Sequence, residues 1–165
     1  MNIATILPYK ENYTSNGAGA VSLWIKDFMR YSKYKKNVSV FGSTTNKNYL
    51  TKNYININFP TINSRFYSTT KEYSKRIIIK LKKSHFDIIE LHNRPVMVSD
   101  FVNKMNSKII LYFHNDPRTM KGAKTVSDRI ILLNSVDKII FISNWIKIKF
   151  FEGLPNLSEN KTQVI

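Results

Sequence analysis

Cysteine is absent from this chain of 165 residues, which removes disulfide cross-links, thiolate nucleophiles and thiolate metal sites together. Also missing is any apolar run approaching the roughly 18 residues that a membrane-spanning helix needs. The opening Met1-Asn2-Ile3-Ala4-Thr5-Ile6-Leu7-Pro8 has no basic segment and reaches proline too early for a secretory signal. Acidic residues are scarce: 11 Asp and Glu stand against 26 Lys and Arg, a formal net charge of +15. The expectation is a cytoplasmic protein whose membrane contact, if it has one, is peripheral on the inner membrane. The positive excess favours anionic partners such as nucleic acid, acidic lipid head groups or phosphorylated substrates. In a chain crowded with Asn, Ile, Tyr and Lys, the same charge also reads as plain solvation.

The length suits one domain, in which folding would bury roughly 70% of the extended-chain surface. Asn2 to Leu7 reads as a first buried strand stopped by Pro8. After a polar loop comes Asn16-Gly17-Ala18-Gly19-Ala20, and Val21, Leu23, Trp24, Phe28 and Met29 then recur at helical spacing. Residues 37–41, 54–59 (halted at Pro60), 86–91, 108–113, 138–142 and 161–165 read as further strands. Helical stretches are expected over 67–83, from about Pro95 to Met105, over 126–135 and over 144–151. Alternation of strands and helices predicts an α/β, doubly wound, mostly parallel sheet in the order 3-2-1-4-5-6-7. Its switch point would lie between the first and fourth strands, and ligands bind at the carboxyl edge there.

Two segments emerge at that edge: His92-Asn93-Arg94-Pro95 and His114-Asn115-Asp116-Pro117, each directly after an apolar run. Paired histidines at equivalent strand ends favour a site, above all for His114; a rim histidine with satisfied bonds is the alternative. Arg94 could meet an anionic ligand or pair with Glu90, a carboxylate lodged in an apolar strand that needs a partner if buried. Asn115 and Asp116 could hold their loop through turn-type bonds before Pro117. No ligand spacing for a metal is present.

Gly17, Ala18 and Gly19 open a helix, where bare backbone can approach a phosphate at the positive end of the helix dipole. Small residues that merely let the helix pack on the sheet would look the same. A dinucleotide site is disfavoured, because Ser22 stands where the fingerprint wants glycine and Gly42-Ser43-Thr44 supplies no acid to hold a ribose. Lys71, Lys75, Arg76, Lys80, Lys82 and Lys83 crowd one helix beside Tyr73, Ile77, Ile78, Ile79 and Leu81. That pattern suits a helix lying on an acidic membrane, or a solvated face above an ordinary core stripe. Ser143, after the strand that ends at Ile142, is first an N-cap and second a substrate contact.

Taken in order, the glycine loop, Asp87-Ile88-Ile89-Glu90-Leu91-His92-Asn93-Arg94-Pro95, Leu111-Tyr112-Phe113-His114-Asn115-Asp116-Pro117 and Val136-Asp137-Lys138-Ile139-Ile140-Phe141-Ile142-Ser143-Asn144-Trp145 resemble the N-terminal lobe of a family 4 retaining glycosyltransferase of the GT-B fold. The resemblance runs over essentially the whole chain and is to the kind that builds lipopolysaccharide, capsule or other bacterial surface polysaccharide. It implies an acceptor-binding lobe whose donor lobe would follow, so the chain would be a fragment, a domain or half of a split enzyme. By that resemblance Gly17, Ala18 and Gly19 approach the donor diphosphate and His114 touches the transferred sugar near the reacting carbon. His92, Asn93, Arg94, Asn115, Asp116 and Ser143 would then line the acceptor or substrate side. The partners implied are a nucleotide sugar, a glycan or lipid-linked acceptor and the missing lobe, with no metal and no cofactor. The competing expectation is a non-catalytic basic module for acidic membrane or nucleic acid. No nucleic-acid motif is visible, and the aromatic residues are scattered through expected core positions instead of forming a stacking platform.

Overall fold

The structure is a computed structural model and describes residues 1–58, 68–155 and 159–165. Seven strands form one sheet: β1 (Ile3–Ile6), β2 (Val38–Gly42), β3 (Tyr54–Asn56), β4 (Ile88–His92), β5 (Lys108–Phe113), β6 (Lys138–Phe141) and β7 (Thr162–Val164). Their order is β3-β2-β1-β4-β5-β6-β7 and every neighbouring pair is parallel. This is the expected α/β doubly wound sheet, with its order reversal between β1 and β4. Five helices accompany it among the described residues: α1 (Ala20–Tyr31), α2 (Thr69–Leu81), α3 (Val98–Val102), α4 (Val126–Ser135) and α5 (Asn144–Phe151).

Strand side chains alternate between the two faces, so each strand contributes to two packing layers. On one face Ala4, Ile6, Ile89, Leu91, Leu111, Phe113, Ile139 and Phe141 pack with Tyr73 and Ile77 of α2, Phe101, Leu132 and Phe150. On the other, Ile3, Leu7, Val38 and Val40 pack with Val21, Ile25 and Met29 of α1. Thr5, Glu90, His92 and Tyr112 occupy strand positions in step with that second face. Helix starts are fixed locally. Ser68 caps α2 and Ser143 caps α5 through their hydroxyls, while Thr125 and Asp128 close a reciprocal capping box on α4.

Several boundaries differ from expectation. The helix expected over 95–105 is a 3-10 turn at Pro95–Met97 followed by the short α3, because Pro95 opens a tight turn in which the Met97 amide donates to the Arg94 carbonyl at 3.0 Å. The fourth strand starts at Ile88 and takes in His92, whose neighbour Asn93 continues the ladder by donating to the Tyr112 carbonyl at 2.9 Å. The expected ends of the third strand at Phe59–Pro60 and of the second helix at Tyr67 lie outside the described residues.

The loop after β5 is tied down on two sides. Gly122 has φ +89, and a Cβ there would sit 2.7 Å from the Val96 backbone. Arg129, 2% exposed, donates to the carbonyls of Ala123, Lys124 and Glu152 at 3.2, 3.1 and 2.7 Å. Gly122→Ala should therefore cost about 2 kcal/mol or more, from a left-handed backbone and a clash with unyielding main chain. Urea denaturation would measure it, and a loss below about 0.5 kcal/mol would show that the loop shifts freely.

Candidate active site at the carboxyl edge

The site starts from a carboxylate inside the sheet. Glu90 is buried on β4, flanked in register by Thr5 of β1 and Ile110 of β5. Its Oε2 accepts from the Thr5 hydroxyl at 2.7 Å and its Oε1 from the Tyr112 hydroxyl at 3.3 Å. Two residues further on, His92 points to the same face, 1% exposed. Its Nε2 stands 4.0 Å from Glu90 Oε2, an electrostatic contact longer than a hydrogen bond, and its Nδ1 lies 2.8 Å from His114 Nε2.

Strand pairing accounts for this meeting of two imidazoles 22 residues apart. His92 is in register with Tyr112, whose ring stacks on it with centroids 4.4 Å apart, and His114 follows two residues later just beyond β5. Asn93 locks the junction. Its side-chain Oδ1 accepts from the His114 amide at 2.7 Å and its Nδ2 donates to Asn115 Oδ1 at 2.8 Å. This requires φ +52 at Asn93, a left-handed conformation that asparagine tolerates better than most residues. From the second turn of α1, Trp24 covers the group, 5.8 Å from the His92 ring, 5.6 Å from Tyr112 and edge-on to His114 at 5.1 Å.

The expected site residues thus divide. His92 and Asn93 are buried, with their side chains directed to His114 and Asn115, so they act as supports behind a half-buried His114. Glu90 turns to Thr5 and Tyr112, not to Arg94, and among the described residues no carboxylate pairs with Arg94. Asp116 caps the turn at Pro117–Thr119 by accepting from the Arg118 amide at 2.9 Å, and its carboxylate pairs with the Arg118 guanidinium at 2.8 Å. Ser143 accepts from the Ile146 amide at 3.3 Å as an N-cap.

At the glycine loop, Gly17 has φ +89 and its carbonyl accepts from Asn12 at 2.9 Å. The amino end of α1 meets a carboxylate of its own chain. Glu11 accepts from the Ser22 amide at 3.1 Å, in a space that a side chain at Gly19 would fill. An acid at the positive end of a helix is electrostatically favoured, and an incoming phosphate would compete with it. Among the described residues no cluster of three or more metal-ligating side chains occurs. Thr5, Trp24 and Tyr112 are the members sequence reasoning passed over. Only the oddity of Glu90 in an apolar strand pointed toward them.

Burial alone would raise the Glu90 carboxyl, but the neighbouring His92 and the hydroxyls of Thr5 and Tyr112 outweigh it and hold Glu90 below its ordinary value. The Tyr112 hydroxyl is pushed up by burial and by the Glu90 charge. Burial, and then His92, push His114 down from 6.5 to about 3. Between those values the unfolded chain binds a proton at His114 that the folded chain refuses, so unfolding becomes easier as the pH falls. His114→Gln should flatten this decline between pH 6.5 and about 5, above the range where carboxylates titrate. Urea denaturation at stepped pH reads the slope, and an equally steep decline in the variant would remove His114 as its source.

The whole chain superimposes on a sucrose-phosphate synthase from Thermosynechococcus elongatus with a TM-score of 0.68 at 11% identity, covering 88% of that chain. It also superimposes on Anabaena HepE, solved in complex with UDP-glucose, with a TM-score of 0.61 at 12% identity, covering all of this chain and 43% of HepE. In sequence it is 32% identical over 96 residues to YtcC of Bacillus subtilis (strain 168), a protein provisionally named a glycosyltransferase; the match takes in 58% of this chain and 23% of YtcC. The chain thus spans less than a quarter of the length of that curated relative. No protein-family model matches. What is shared with the solved structures is the fold, which in this chain is a seven-stranded, Rossmann-like parallel sheet.

Proposed function

We propose that this chain is the acceptor-side lobe of a retaining, family 4 GT-B glycosyltransferase that moves a sugar from a nucleotide-sugar donor to a glycan or lipid-linked acceptor. The setting would be the synthesis of lipopolysaccharide, capsule or a related surface polysaccharide, with a donor lobe supplied in cis or in trans. The observation that carries this reading is His114 itself: a half-buried imidazole kept neutral by its surroundings, held at the carboxyl edge of a sheet whose full length matches proteins of sugar metabolism. The complex of HepE with UDP-glucose supports a nucleotide sugar as the donor.

In this reading His114 accepts or donates a hydrogen bond at the transferred sugar, as a neutral ring can and an imidazolium cannot do both ways. Asn115 and Arg94 border the acceptor, the latter with its charge free of any carboxylate among the described residues. Gly17, Ala18 and Gly19 present backbone to the donor diphosphate once Glu11 yields the amino end of α1. Helix amino ends and basic side chains would neutralise the leaving diphosphate, so neither metal nor cofactor is required. In the full-length protein, His114→Ala should lower turnover of UDP-glucose or its sugar analogues by roughly 10²-fold or more, with circular dichroism unchanged. Unaltered turnover would take His114 out of the site.

Attachment to the inner membrane through α2 belongs to the same reading. Its apolar stripe of Tyr73, Ile77, Ile78 and Leu81 is spent on the core, which leaves Lys71, Lys75, Lys80, Lys82 and Lys83 exposed around Ile79, itself 54% exposed. Arg76 instead pairs with Glu72 at 2.7 Å. Among the described residues no helix is long and apolar enough to cross a membrane. Vesicles containing acidic lipid should retain the protein at low salt and release it when Lys80, Lys82 and Lys83 become Glu. Equal retention of the variant would make that face simple solvation.

A further inference from the structure

We propose that Glu90, His92 and His114 form a proton relay that keeps Nδ1 of His114 unprotonated at rest and passes any proton it accepts inward to His92. The geometry leaves two arrangements for a neutral pair. Across the 2.8 Å contact one ring nitrogen must donate and the other accept. If His92 donates, its Nε2 carries a lone pair facing the Glu90 carboxylate 4.0 Å away, with no hydrogen-bond partner of its own in a fully buried setting. A nitrogen lone pair, the negative end of the ring dipole, then faces an anionic oxygen in a buried setting. If His114 donates, Nε2 of His92 carries the proton and faces the carboxylate with the right sign. The second arrangement wins. It leaves His114 with its proton on Nε2 and a lone pair on Nδ1, which has no partner among the described residues.

A proton arriving at His114 Nδ1 completes the exchange. The Nε2 proton of His114 crosses to Nδ1 of His92, and His92 then holds protons on both nitrogens beside the ionised Glu90. His114 ends neutral with its proton on Nδ1. One proton has entered, one N–H bond has broken and two have formed, and the charge rests on the inner ring. The titratable groups facing the pair are Glu90 on β4 and Tyr112 on β5; α1 contributes Trp24, which does not titrate, and β1 contributes Thr5. The low affinity of His114 for a charge of its own agrees with this division. A sugar hydroxyl at Nδ1 would find an acceptor that can become a donor without turning cationic, and that last use alone rests on the function proposed above.

Nitrogen-15 spectra of the imidazole rings in the whole chain test the relay without any substrate, so absence of sugar transfer would leave the result standing. The third histidine, His85, has an 81% exposed side chain that lies 3.1 Å from Asp87, so its environment differs from that of the buried pair and its signals can be told apart. At neutral pH, His92 is expected to show N–H character at Nε2 and lone-pair character at Nδ1, and His114 the same pattern. On acidification His92 should gain cationic character while His114 moves its proton from Nε2 to Nδ1. Glu90→Gln should blur the neutral pattern into a mixture of tautomers. Finding the His92 proton on Nδ1 at neutral pH, or His114 charging before His92, would overturn the relay. An unchanged pattern in Glu90→Gln would overturn the part given to Glu90. If that variant does not fold, the spectra of the unsubstituted chain still decide.

Discussion

A carboxylate enclosed in a parallel sheet has to be answered by donors, and the architecture of the carboxyl edge follows from how Glu90 is answered. Removing its charge from water carries a penalty of several kcal/mol that only well-placed hydrogen bonds and an opposite partial charge can offset. Thr5 reaches it from one neighbouring strand and Tyr112 from the other. Both are possible because β1, β4 and β5 run parallel and in a register that puts their side chains on one face. A one-residue slip would turn Thr5 or Tyr112 into the opposite layer and leave the acid unanswered.

From that point the arrangement propagates outward. Tyr112 both donates to Glu90 and stacks on His92, so the acid and the inner ring share one support. Asn93 then fixes the next strand end through two bonds, to the His114 amide and to Asn115. Trp24 packs edge-on to His114, and burial of that ring raises the cost of charge on it. Rigidity here has chemical content. A ring whose partner, stacking surface and backbone are all determined offers one nitrogen in one direction, the kind of preorganisation on which electrostatic catalysis depends.

The glycine loop has a different character. Where the expected phosphate would meet the amino end of α1, the chain supplies Glu11. The Ser22 amide is thus satisfied without a ligand, and any anion arriving there would have to displace Glu11.

Most of the fold was legible in the residues. Apolar runs bounded by Pro8, Gly42 and the His-Asn loops marked the strands, and their alternation with helical spacing dictated parallel order through right-handed crossovers. The two histidines could be placed at one edge by the same reasoning, and their sequence context carried the resemblance to a GT-B lobe. Which of them faces outward could not be read, nor that Arg94 stands apart from Glu90, nor that Thr5, Trp24 and Tyr112 complete the group. Those facts depend on strand register and on how α1 lies across the sheet, which bring together residues 85 apart such as Thr5 and Glu90. Local sequence determines which element each residue joins; only the packed sheet decides which buried groups meet, because burial makes each polar atom find its partner in space and not along the chain.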